Sequence, residues 1–215
     1  TTTFADTGSN SILGLDGAMR AVELVGIRGI IGEFLSDRAE ATPGLPRLHK
    51  PTDKCLARLE NQLKRYPPRS GRRVWCAVSL IGMGTASDSL LTGAKALADE
   101  HGVPLIMHQS WSKKDVEDCL TRTGSRPIEH FSKLGILGPN LTLVHMIHVN
   151  EHEVELLAES GTRVVHCPAA SIKHAQGAAR VGLFPEMLKK GLTVALGSDA
   201  SNWSNSLDIG RMAYL

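Results

Sequence analysis

Four residues in the second half of the chain have types and positions suited to hydrolytic chemistry. His108 closes the apolar run Pro-Leu-Ile-Met, and His145 closes Leu-Thr-Leu-Val. His166 follows Arg-Val-Val, and Asp199 follows Thr-Val-Ala-Leu-Gly-Ser. Each run is short and apolar and reads as a buried strand. In parallel α/β folds the C-terminal strand ends form one rim, and the rim carries the site. Three imidazoles and a carboxylate would then converge on one mouth. That donor set suits one divalent ion of borderline softness: zinc is expected, with iron the alternative. Such an ion lowers the pKa of a bound water to about 7. A single strand-end histidine is more often a hydrogen-bonded structural residue; four such groups on successive strand ends argue for a site together.

The other histidines divide by position. His148 and His174 fall in rim loops, while His49, His101, His130 and His152 read as solvated. Cys167, directly after His166, reads as packing, because no neighbouring pattern marks an activated thiol.

Elements that could position these groups follow from the apolar pattern. Strands are expected at 2–6, 29–35, 74–81, 103–108, 141–145, 163–166 and 193–196. Helices are expected at 17–25, at 52–66 with Thr52 as cap and Pro67-Pro68 as stop, from Ser87 to Gly102, and at 113–123, 127–134, 151–160 and 183–190. A further helix begins within 207–215, and 39–50, with Pro43 and Pro46, reads as a loop. Seven strands with continuous rather than alternating apolar character imply a parallel sheet buried on both faces. A (β/α)8 barrel and an open doubly wound sheet both fit. No G-x-G-x-x-G follows the first strand, which counts against a dinucleotide site.

Bulk properties narrow the partners. With 215 residues, 42% of them hydrophobic, the chain is read as a single domain, 1–215. A net charge of +2 without basic runs gives no footprint for nucleic acid, and 4% aromatics offer no stacking platform. The apolar stretch near Val74–Met83 is too short for a membrane span. The four cysteines form no C-x-x-C pair, which fits a reducing, cytoplasmic setting. The expected partner is a small-molecule substrate; assembly into a homo-oligomer is compatible with this. The chain opens at Thr1-Thr2-Thr3 and reads as starting within a domain.

The ordered motifs carry a resemblance. Thr-Thr-Thr-Phe-Ala-Asp (1–6) resembles the second barrel strand of the amidohydrolase superfamily. Val-His-Met-Ile-His-Val (144–149) resembles its sixth-strand motif, Val-Val-His-Cys-Pro-Ala-Ala-Ser (164–171) its seventh, and Ala-Leu-Gly-Ser-Asp-Ala-Ser-Asn (195–202) its eighth. The branch is that of cytosine, guanine and adenosylhomocysteine deaminases and triazine hydrolases. Residues 181–188 and 205–215 are also similar to phenylurea and molinate hydrolases.

The resemblance implies an incomplete (β/α)8 barrel, with strands two to eight present and strand one missing. It makes His108 the strand-five metal ligand, and Asp199 the strand-eight ligand that also takes the proton from the attacking water. His145 becomes the strand-six histidine, which polarises substrate, shuttles a proton or binds metal. Trp111, His166, His174 and Asn202 are taken as substrate-facing.

Two departures stand out. The family's strand-one His-x-His pair is expected upstream of Thr1, so the 215 residues alone are expected to be inactive. The deaminases also place a Glu three residues after the strand-five His, where this chain has Trp111. An indole can stack or donate one hydrogen bond but cannot shuttle a proton. The expected activity is therefore metal-dependent hydrolysis of a non-peptide C–N bond in an amide, urea or carbamate. The alternatives are an aminohydrolase of a heterocyclic amine and, in another class, a metal-free barrel that only binds.

Overall fold

The computed structural model of the chain describes residues 2–9, 14–38, 49–68 and 71–215. Most of the expected 39–50 loop, 39–48, lies outside the described residues. Among the described residues eight strands are formed: β1 (Thr3–Ser9), β2 (Arg28–Glu33), β3 (Val74–Cys76), β4 (Val78–Gly82), β5 (Leu105–Gln109), β6 (Leu141–His145), β7 (Arg163–His166) and β8 (Val194–Leu196). The chain divides into two compact units, Thr1–Met107 and His108–Leu215, and the division falls inside β5.

In the first unit β1, β2 and β3 pair in that order, in parallel, with Ile30 opposite Trp75. The run 74–81, expected as one strand, is two. Cys76 gives its N–H to Tyr66 O, whereas Val78 gives its N–H to Pro104 O at 3.1 Å. A regular strand sends the N–H groups of residues i and i+2 toward the same neighbour, so the ladder breaks between them. Cys76, Ala77, Val78 and Leu80 are fully buried, which explains the continuous apolar character of this run.

Helix 52–65 buries Cys55, Leu59 and Leu63, a stripe at four-residue spacing. Thr52 does not cap it. Pro51 holds the cap position, and the Thr52 hydroxyl donates instead to Asp37 Oδ2 at 2.7 Å. Ser87 does cap helix 88–101, accepting from Leu90 N, and Gly102 ends that helix in the left-handed conformation.

In the second unit β6, β7 and β8 pair in parallel order, with Val144 opposite Val165 and His166 opposite Leu196. Helix 151–160 starts at a reciprocal Asn150/Glu153 capping box. Three short helices, Pro168–Lys173, Ala178–Val181 and Ser201–Ser204, stand in segments to which the apolar pattern assigned no element. Each is six residues or fewer, too short for an apolar periodicity to declare itself. No helix among the described residues is long and apolar enough to cross a membrane.

Close backbone approach fixes one position in the first unit. A Cβ added to Gly32 on β2 would lie 2.3 Å from Ser79 Cβ on β4. Gly32→Ala should therefore destabilise the protein by about 1–3 kcal/mol in urea unfolding. Adding Ser79→Gly should recover part of that loss; equal unfolding midpoints for wild type and Gly32→Ala would refute the contact.

Candidate functional site

The rim of the second unit is built from the ends of β5 to β8. β5 delivers His108 and β6 delivers His145, whose rings stack with centroids 5.3 Å apart. β8 leads into Asp199, and its Oδ2 lies 3.9 Å from His145 Nε2. β7 ends in His166, which packs on Phe184 at 3.9 Å between ring centroids. Of the residues read from the sequence as one site, His145 is thus brought against both His108 and Asp199, while His108 stands outside the group whose ligand atoms all lie within 4.8 Å of one another. His166 is near enough for its charge to act on His145.

The backbone at these ends is unusual. Four of the six non-glycine residues with positive φ among the described residues are Ser110 (51°), His145 (81°), Met146 (53°) and Asp199 (60°). Left-handed backbone is costly for residues with a Cβ, and it persists only where surrounding contacts impose it. At the β5 and β6 ends those contacts are visible. Met146 N donates to Gln109 O at 3.1 Å, and Ile147 and His148 both donate to Ser110 O, at 3.0 and 2.9 Å.

Electrostatics at the rim favour neutral imidazoles. His145 is buried, and burial together with its neighbours His108 and His166 holds its pKa down to about 3. Burial also lowers the pKa of His166. Neutral imidazole is the form that ligates metal. The Nδ1 atoms of His145 and His166 are buried with no hydrogen-bond partner, a condition that native structures seldom leave unexplained. The donor set and these orphaned atoms fit a bound cation.

One member of the cluster was not anticipated as such. Ligand atoms of His145, Cys167 and Asp199 all lie within 4.8 Å of one another. Burial and the Asp199 charge push the Cys167 thiol up to about 12, against a hydrogen bond from the Asp199 backbone N–H. The sulfur fills space that Gly197 leaves: a Cβ there would sit 2.8 Å from it. The signal in the sequence was only adjacency, since Cys167 follows a strand-end histidine and the Gly197-Ser198-Asp199 turn follows the neighbouring strand.

The other expected site residues lie further out. His174 is exposed, with its ring against Trp203 at 4.1 Å. Asn202 is exposed, and its carbonyl accepts from Lys173 Nζ at 2.7 Å. Trp111 is 42% exposed, in the turn after β5. His148 sits half-buried with Nε2 3.0 Å from Gln176 O. Of the histidines read as solvated, His152 is exposed, whereas His49 and His101 are half-buried and each has one buried ring nitrogen.

Parallel strands that each deliver a ligand-type side chain to one rim define a hydrolase-type α/β fold, and comparison with known proteins agrees. Residues 1–215 match the amidohydrolase family along their whole length, and the chain belongs to that family. It is 36% identical over 189 residues to a 5-methylthioadenosine/S-adenosylhomocysteine deaminase of Syntrophobacter fumaroxidans, covering 88% of this chain and 41% of that protein. The homologous deaminase of Halobacterium salinarum is 34% identical over 175 residues, covering 80% and 40%.

Among solved structures, a variant of atrazine chlorohydrolase TrzN from Arthrobacter aurescens TC1, complexed with zinc and atraton, superposes with a TM-score of 0.86. Its identity is 20%, with 97% of this chain and 47% of that one covered. An adenosine deaminase from Xanthomonas campestris with bound zinc gives 0.81 at 25% identity, covering 99% and 46%. The fold is accordingly the incomplete (β/α)8 barrel rather than an open sheet, and the chain spans about half the length of the relatives it matches.

The depressed pKa of His145 has a consequence for stability. The unfolded chain takes up the proton near the ordinary value of 6.5, and the folded chain only near 3. The contribution of neutral His145 is therefore present above pH 6.5 and lost as pH falls toward 3, at about 1.4 kcal/mol per pH unit. His145→Asn, which tolerates left-handed backbone, should flatten this part of the curve in urea unfolding of the metal-free protein. An unchanged slope would mean that His145 is not held neutral.

Proposed function

We propose that this chain carries part of the active site of a metal-dependent hydrolase acting on a non-peptide C–N bond of a small molecule. The carrying observation is the convergence of His108, His145 and Asp199 on one rim. His108, His145 and Asp199 would hold the ion, zinc by donor type with iron the alternative. The ion's contribution would be Lewis acidity, which polarises the substrate and activates water at neutral pH. We also read 1–215 as one domain of a cytoplasmic enzyme.

The protein's own groups supply the proton handling. Asp199 accepts a proton from the attacking water and passes it to the leaving nitrogen as the C–N bond breaks. Where His145 is not itself a ligand of the ion, its neutral imidazole offers an N–H to the oxyanion that develops at the substrate carbon. His166, His174 and Asn202 are proposed to face the substrate at the edge of the site. Trp111 presents a rigid aromatic surface in the turn three residues after His108. Such a surface favours apolar or aromatic amides, ureas or carbamates.

A second reading is favoured by the relatives: the curated proteins at 34–36% identity carry the name of a deaminase. On that reading Trp111 stacks on a heterocyclic amine, and the leaving group is ammonia. Product analysis separates the two in the full-length protein, since released ammonia from amino-heterocycles supports deamination, and released amine or carboxylate supports the first reading.

Two outcomes are expected of the full-length protein. Chelation should abolish turnover and zinc should restore it; activity that survives in metal-free protein would sink the proposal. Trp111→Ala should raise KM for an aryl amide or urea by about 2- to 12-fold with kcat nearly unchanged, because a stacking surface serves ground and transition state alike. A fall in kcat at constant KM would place Trp111 in the chemistry instead.

A further inference from the structure

A half-buried carboxylate lies behind the rim, and its hydrogen bonds go to residues that follow the proposed ligand His108. Asp115 is the third residue of helix 113–123, and Ser112 caps that helix by accepting from Asp115 N at 3.1 Å. In the usual reciprocal box, the carboxylate at this position returns to the N–H of the cap residue. Here it reaches further back. Asp115 Oδ2 accepts from the Ser110 backbone N–H at 2.7 Å and from Gln109 Nε2 at 3.0 Å. The Trp111 backbone N–H also bonds to this carboxyl.

Ser110 is therefore a junction. It is fully buried and left-handed, with its N–H on Asp115 and its carbonyl taking the N–H groups of Ile147 and His148. Those residues directly follow His145 and Met146, the two left-handed residues at the end of β6. Gln109, the other residue held by Asp115, follows His108 and accepts from Met146 N. One carboxylate thus holds the turn after β5, and that turn holds the turn after β6.

We propose that Asp115 is a positioning residue for the His108–His145 pair, setting the relation of the two imidazoles through Ser110 and Gln109. This rests on the metal-site reading above. The physical reason is that left-handed backbone at Ser110, His145 and Met146 relaxes unless its polar groups are claimed. Asp115 claims the first of them from the first turn of helix 113–123.

Ser112→Ala provides the control. It removes the helix cap and lowers stability by about 1 kcal/mol, but it leaves the Asp115–Ser110 bond in place. The test compares wild type, Asp115→Ala, Asp115→Asn and Ser112→Ala in the full-length protein by two measurements. Amide hydrogen exchange at Met146, Ile147 and His148 is followed relative to β7, and cobalt(II) binding is followed by its visible spectrum.

Asp115→Ala should speed exchange at those three amides by about tenfold or more and weaken cobalt(II) binding by about 10- to 100-fold. Asp115→Asn, which keeps one acceptor oxygen, should fall between it and wild type. Ser112→Ala should change neither readout beyond its global destabilisation. If Asp115→Ala fails to fold, Asp115→Asn against Ser112→Ala carries the comparison.

Equal behaviour of the Asp115 and Ser112 variants would overturn the proposal and leave the metal site standing. So would unchanged exchange at the three amides. Faster exchange in a wild-type background that binds no cobalt(II) would keep the Asp115 linkage and sink the metal reading.

Discussion

A buried, uncharged imidazole is the constraint around which the rim is arranged. His145 is almost wholly enclosed, with His108 stacked on one side, Asp199 3.9 Å from its Nε2, and His166 within electrostatic reach. Protonating it would place a cation among other imidazoles in a poorly solvated space, so burial and its neighbours hold it neutral. A neutral imidazole has a lone pair to give and an N–H to offer. A protonated one has no lone pair and could not ligate a cation. The same enclosure leaves ring nitrogens of His145 and His166 unpartnered, a condition that a bound cation or substrate would relieve.

Holding such a group in place needs backbone that sequence propensity alone would not choose. The strands are ordinary, parallel and apolar, but their ends turn through left-handed residues at Ser110, His145, Met146 and Asp199. These turns are stabilised locally, by carbonyls of Gln109 and Ser110 on one side and by the Cys167 sulfur against Gly197 on the other. Strain of this kind collects at sites where side-chain aim matters more than backbone comfort. The helices behind the rim, notably 113–123 and 151–160, contribute through their first turns. Half-buried Asp115 accepts from the Ser110 N–H just past β5, and buried Glu153 accepts from the N–H groups of Asn150 and Ile128.

The chain belongs to the amidohydrolase family, and two of the solved structures it superposes on carry zinc. At Trp111 the chain departs from the deaminase pattern it resembles, in which a Glu follows the strand-five histidine by three residues. A carboxylate there handles protons on a ring nitrogen, whereas an indole contributes only a surface and one N–H donor. The named relatives lean toward deamination, and the indole leans toward an apolar acyl or carbamoyl group.

The sequence by itself determined the element order and the ligand candidates. Apolar runs ending in His108, His145, His166 and Asp199 are visible because strand burial and strand-end chemistry both leave local signatures. The capped helices beginning after Ser87 and Asn150 and ending at Gly102 and Gly161 are legible for the same reason. What only the tertiary structure decided depends on distances between residues far apart in the chain. The break between β3 and β4 follows from Tyr66 claiming the Cys76 N–H. Thr52 is already inside the helix, with Pro51 at the cap position, and its hydroxyl donates to Asp37 across space. Cys167 enters the cluster only because Gly197 on the neighbouring strand lacks a side chain. Asp115 is in the sequence only a residue of helix 113–123; its carboxylate reaches back because the left-handed turn at Ser110 presents a buried N–H within reach, and no local pattern encodes that approach.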